Sequence, residues 1–203
     1  VRKLIVMRPN PLPESRLAAV LIPCLSILSL GACGDDPFQI RWAADVDTVS
    51  LFSLARPELN LGSAYNFDQR RILVVEAPGS SGSWDLAVDD DGTEMYFVLP
   101  EVLGIESRAA LAPVPGVSFE DLTEAPSDTA AYIGNEIIPI QIGTVYAVRT
   151  SEGTGFFGET CVYYGKLQPI EKDLVRGTVS FFFDASPVCN DRSLIPTEEN
   201  DAN

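Results

Sequence analysis

The chain has 203 residues, with 14 lysines and arginines against 29 aspartates and glutamates, a net charge of −15, and no histidine. Such acidity repels nucleic-acid phosphates and anionic headgroups, so no nucleic acid is expected as a partner. Without histidine, Ser-His-Asp and Cys-His catalysis and the common histidine-based zinc and haem sites are excluded.

The N-terminus carries Arg2, Lys3, Arg8 and Arg16, then a mostly apolar run from Leu17 to Ala32 broken by Pro23. A spanning helix needs ~20 apolar residues, so the run is short for one. A basic start, a limited apolar run and small residues at its end describe a secretory signal peptide over residues 1–32. Leu30-Gly31-Ala32-Cys33 resembles the bacterial lipobox. The resemblance implies cleavage before Cys33, a diacylglyceryl group on its thiol and acylation of the new N-terminus. Several acyl chains anchor firmly where one binds marginally. Met7 is an alternative start to Val1, because Met7–Ala32 alone holds all three signal regions. Gly34, not aspartate, follows the cysteine, which by resemblance to lipoprotein sorting favours the cell outer membrane.

Residues 1–32 hold four of the cations and one acid, so the chain from Cys33 carries 10 against 28, a net −18. These acids are dispersed and read as a solvated exterior. Residues 33–46 read as a lipidated tether, 47–196 as a single β-rich domain, and 197–203, TEENDAN, as a disordered acidic tail.

DTVSLFSLA, 47–55, alternates and predicts a strand. A buried strand is expected at Arg71–Ala77, followed by a loop, APGSSGS, 77–83. WDLAV (84–88), DDDGT (89–93) and EMYFVLP (94–100) predict a hairpin around an Asp-Gly type I′ turn. EVLGIESRAALAPVPG, 101–116, has weak helical character, ended by Pro113 and Pro115. SFEDLTEAP, 118–126, predicts one helical turn capped by Ser118, with Asp121 completing an imperfect capping box. IIPIQI (137–142) and TVYAVRT (144–150) predict strands, the first at an edge because of Pro139. SEGTGFFGE, 151–159, is a glycine-bearing loop.

CVYYGKLQPI (161–170) and GTVSFFFDAS (177–186) predict a hairpin around EKDLVRG, 171–177. Residues paired across an antiparallel hairpin share a constant index sum. Cys161 and Cys189 centre on position 175, inside that turn, so the hairpin sets them opposite each other. Export favours an oxidising compartment, and the pair reads as a structural disulfide. Metal binding and free thiols are the alternatives; two sulfurs without histidine make a poor zinc site. The expected fold is all-β, an antiparallel sandwich or open barrel with one or two short helices.

GSSG, 79–82, is not a nucleophile elbow. Asp89 and Asp91 in DDDGTE offer a weak calcium alternative, without the ligand spacing of an EF-hand. Most of Trp84, Tyr96, Phe97, Tyr146, Tyr163, Tyr164 and Phe181–Phe183 read as core. Three consecutive phenylalanines put at least one ring on the opposite sheet face from its neighbours, so both faces are covered or one binds something. Phe156 and Phe157, in the glycine loop, are candidates for contact with a ligand or partner.

SWDLAV (83–88), VYAVRTSEG (145–153), CVYYGKLQPI and GTVSFFFD (177–184) together resemble the haem-binding surface lipoproteins of the HmuY type. The resemblance implies an all-β domain with a few short helices. Val88 stands where that family has phenylalanine, and its two haem-ligating histidines have no counterpart, so none of its functional residues carries over. A carrier of that shape would need tyrosine or methionine, and Met95 is the one methionine after the signal segment.

The residues thus point to a membrane-anchored, exported, non-catalytic binding or structural module, contacting an envelope protein or a small ligand, with no cofactor implied. A carboxylate-based glycoside hydrolase or carbohydrate-binding domain is the alternative, and it requires two acids ~5–10 Å apart in a cleft. A HmuY-like small-ligand carrier is the third reading.

Overall fold

Runs of β-branched and aromatic residues with every second side chain apolar build two antiparallel sheets. The computed structural model describes residues 42–155 and 157–197. The expected signal segment, the lipidation site Cys33, Phe156 and the tail beyond Thr197 lie outside the described residues.

The first strands are β1 (Asp47–Phe52), β2 (Ala64–Asn66), β3 (Arg71–Leu73), β4 (Leu86–Asp90) and β5 (Met95–Val98). β6 (Ala110–Val114), β7 (Ile138–Pro139) and β8 (Val145–Arg149) follow. A two-residue pair, β9 (Gly153–Thr154) and β10 (Thr160–Cys161), precedes the long hairpin of β11 (Tyr164–Asp173) and β12 (Thr178–Ala185). The first sheet has the order β1-β12-β11-β8-β6 and the second β3-β2-β4-β5-β7. The two sheets pack together as an open sandwich, not a closed barrel.

Between them lies the main core. Val49, Leu51, Phe181, Phe183, Tyr146 and Leu167 of the first sheet meet Tyr65, Leu86, Val88, Phe97 and Met95 of the second. The aromatic rings meet edge to face, Tyr65 with Phe183 at 5.5 Å and Phe97 with Tyr146 at 5.7 Å between centroids. Met95 is 1 % exposed in this core. Its sulfur is therefore committed to packing.

Phe182 points the other way, and that face is covered too. A smaller core of Ala112, Phe119, Leu122, Val145, Ala147 and Leu194 lies there, with Phe182 packed against it. Its lid is the turn at 118–122. Ser118 Oγ accepts the Asp121 N–H at 3.1 Å and donates to the Asp121 carboxylate at 2.7 Å, so the cap expected from the sequence forms. On the outer face of the second sheet, Trp84 packs with Ala64, Ala87 and Val98.

Four local expectations are corrected. Arg71–Ala77 is not a buried strand: only Arg71–Leu73 pairs, at a sheet edge, with Ile72 exposed. The helical reading of 101–116 shrinks to one 3-10 turn at Pro100–Leu103, and Ala110–Val114 is an edge strand paired to β8. Pro113 is tolerated there because an edge strand leaves one row of donors unneeded. The β4–β5 connection is not type I′. Asp90 pairs with Met95, and Gly92, φ 81°, is the only residue of that turn with positive φ, whereas type I′ needs two. The domain also begins before residue 47: Trp42 is buried, its N–H donates to Thr197 Oγ1 at 2.8 Å, and its carbonyl accepts the Thr197 N–H at 3.0 Å.

Candidate functional site

On the outer face of the first sheet, Lys166 of β11 and Asp184 of β12 are cross-strand partners. The strands approach closely there because Gly165, the neighbour of Lys166, has no side chain; a Cβ on it would sit 2.6 Å from the Asp184 carbonyl oxygen. Lys166 is 8 % exposed and Asp184 2 %. They form the floor of a cavity of about 310 Å3. Its walls are mostly apolar: Ala44, Val46, Phe119, Leu194, Ile195 and Pro196, with Thr123 and the exposed Glu120 at the margin. Two loops hold these walls. The 123–125 and 192–194 segments pair antiparallel, Leu194 N–H to Thr123 O at 2.8 Å and Ala125 N–H to Arg192 O at 2.9 Å.

The floor charges do not form an ion pair with each other. Asp184 Oδ1 accepts from Arg70 Nη2 at 2.8 Å and from the Ala185 N–H at 2.9 Å. Arg70 also meets Asp47 at 3.0 Å and lies over the Phe183 ring at 5.6 Å. These contacts hold it in the left-handed region, φ 48°, which a non-glycine residue enters at a cost. Lys166 Nζ sits 4.8 Å from the Phe119 ring centroid, and no hydrogen bond or ion pair of Lys166 is found among the described residues. Burial pushes the Lys166 ammonium below the ordinary lysine range, and the charges of Asp184 and Glu120 pull it partly back.

A second, more polar groove of about 490 Å3 adjoins this cavity through the shared residues Thr123 and Ile195. Its arginine, Arg192, is already paired with Glu124 at 3.2 Å.

The residues singled out from the sequence fall elsewhere. Cys161 and Cys189 form the disulfide, with Cα atoms 5.2 Å apart. Glu159 comes close to both sulfurs, but sulfurs bonded to each other offer no thiolate to a metal. Phe157 is 90 % exposed in the β9–β10 connection and lines neither cavity. Asp91 organises its turn: its carboxylate accepts from the Thr93 N–H at 2.8 Å, the Thr93 hydroxyl at 2.6 Å, the Glu94 N–H at 2.8 Å and the Tyr96 hydroxyl at 2.8 Å. Those bonds, led by the Thr93 hydroxyl, hold it well below the usual carboxylate range. Asp89 accepts the Asp90 N–H at 2.9 Å and the Ser53 hydroxyl at 3.3 Å. Among the described residues, the one group of three or more close Cys, Asp or Glu ligand atoms is the Glu159–disulfide cluster, not this turn.

Asp85, inside the SWDLAV segment, is fully buried. Its two oxygens accept the Phe67 N–H at 2.8 Å and the Ser151 N–H at 2.7 Å, tying the second sheet to the loop after β8. Desolvation raises its pKa, and the bonds from Ser151 and Phe67 offset part of that rise. A raised folded pKa means that the group's contribution to stability is complete below about pH 4, its unfolded value, and declines as pH rises through the folded pKa. Asp85→Asn removes the titration. The stability deficit of that variant is therefore expected to be larger at pH 4 than at pH 7. Urea unfolding of both proteins at the two pH values checks this, and a deficit that grows toward pH 7 contradicts it.

Sequence reasoning missed Lys166 and Asp184 as a site, although the signal was present. The index sum that pairs Cys161 with Cys189 also pairs Lys166 with Asp184, two opposite charges on one sheet face. What the strands could not show was the lid contributed by residues 118–123 and 194–196. In comparisons with known proteins, no protein-family model matches the chain, and no curated protein matches it significantly.

Proposed function

We propose that this chain is an exported, lipid-anchored binding module of the cell envelope, non-catalytic, with its ligand seat on the outer face of the first sheet. One observation carries the reading: Lys166, 8 % exposed on the floor of a mostly apolar cavity, has no hydrogen-bonding partner for its ammonium among the described residues. Burying a charge is costly unless it is paired. Its place among the mostly apolar walls of this cavity favours a role beyond folding, and occupancy by a ligand supplies the missing partner. The lipobox supports tethering through Cys33, and the disulfide suits an oxidising compartment.

The test is a fragment titration of the 15N-labelled chain followed by amide chemical shifts, using small apolar molecules of positive, negative, neutral and zwitterionic head. Shifts concentrated at Phe119, Thr123, Lys166, Leu194 and Ile195 are expected. No saturable shift in that set from any fragment contradicts the reading.

A further inference from the structure

We infer that the Lys166–Asp184 cavity receives a small zwitterion with an apolar body, its carboxylate at Lys166 and its ammonium at Asp184. The inference rests on the binding-module reading above and names the ligand class for that seat.

The floor presents one donor and one acceptor of opposite charge. Lys166 Nζ has its three N–H groups and only the Phe119 ring near it. Asp184 spends Oδ1 on Arg70 and Ala185, and no hydrogen bond reaches Oδ2 from the described residues. Trp84 Nε1 is the only fully sealed side-chain polar atom left unpartnered among the described residues, so Lys166 Nζ and Asp184 Oδ2 each keep a path to accessible space. Both residues line the cavity.

Charge then selects the head group. A simple anion gains Lys166 but meets Asp184, the Glu120 at the margin and a chain of net charge −15. A simple cation gains Asp184 but is set against Lys166. A zwitterion satisfies both floor groups and brings no net charge into a low-dielectric site. The walls of Phe119, Leu194, Ile195 and Val46 suit an apolar body, and about 310 Å3 lies at the small end of ligand pockets, ~300–1,000 Å3. An α-amino acid with a branched or aromatic side chain has this chemistry.

The experiment is calorimetric titration of the membrane-extracted full chain with L-leucine and L-phenylalanine, alongside 4-methylpentanoate and 3-methylbutylamine, which keep the leucine body with one charge each. At least one of the two amino acids is expected to bind, with both single-charge analogues roughly tenfold or more weaker than leucine or undetectable. Lys166→Met keeps the stem over Phe119 and removes the ammonium. It is expected to weaken amino-acid binding roughly tenfold or more while leaving the urea midpoint unchanged or higher. Equal binding of either analogue, no binding of both amino acids, or full affinity in Lys166→Met overturns the inference. The wild-type comparison stands without any variant. If fragments of another charge still shift the cavity residues, only the zwitterion assignment falls; if none does, the binding-module reading falls with it.

Discussion

Phe181→Ala will destabilise the sandwich by about 3–5 kcal/mol, the cost of emptying a phenylalanine site in a packed core. Phe181 is 0 % exposed, and its ring meets Tyr65 at 6.0 Å and Phe97 at 6.4 Å, so both sheets lose contacts at once. The adjacent Phe182→Ala tests the other face. Phe182 is half-buried against Phe119, 6.3 Å away, beneath a lid that can relax, and its loss is expected to cost roughly 1–2 kcal/mol. Urea unfolding of the two variants measures the difference. Equal losses would mean that the outer core is as tightly packed as the inner one.

Removing the disulfide comes next in size. Cys161 and Cys189 are separated by 28 residues, and closing such a loop in the unfolded chain is worth about 3–4 kcal/mol in the chain-entropy account. Cys161→Ala with Cys189→Ala is expected to lower stability by that amount, and reductant should bring the wild-type protein close to the double variant. The unfolding midpoint in urea, with and without reductant, reports it. A loss below ~1 kcal/mol would mean that the reduced chain keeps its ends together by other means, such as the Asn190 N–H bonded to the Val162 carbonyl at 2.9 Å.

The disulfide also shows how far the sequence could be read. The centre at position 175 gives an index sum of 350, and the strand pairs next to the cysteines, Gly165↔Ala185 through Pro169↔Phe181, keep that sum. Past Pro169 the register slips by one at a bulge, so the turn end of the hairpin departs from the simple rule. Parity along Phe181–Phe183 told that one ring must face away from the other two. It could not tell that the 118–122 turn, some sixty positions earlier, would cover it, because that is a contact of tertiary origin. The weak helical character of 101–116 rests on local composition, with Pro113 and Pro115 as its stop. Pairing along β8 overrides it at Ala110–Val114. The opposite error at Arg71–Ala77 has the mirror cause: a run of β-branched residues lies at an edge with one neighbour, so most of it stays unpaired.

The site was less legible than the fold. The aromatic loop and the aspartate turn stand out by composition, yet Asp91 serves its own turn and Phe157 lines neither of the two cavities described. The cavity depends on segments near residues 44–46, 119–123 and 194–196 converging on one face, which no local pattern records.

The proposed envelope role requires export and attachment at Cys33, and the intact mass of the protein extracted from membranes, with and without reductant, tests both most directly. The expected result is a lipid-modified mass for a chain beginning at Cys33 that gains two hydrogens on reduction. An unlipidated mass that retains residues 1–32 would contradict the anchor, the compartment and the envelope function together.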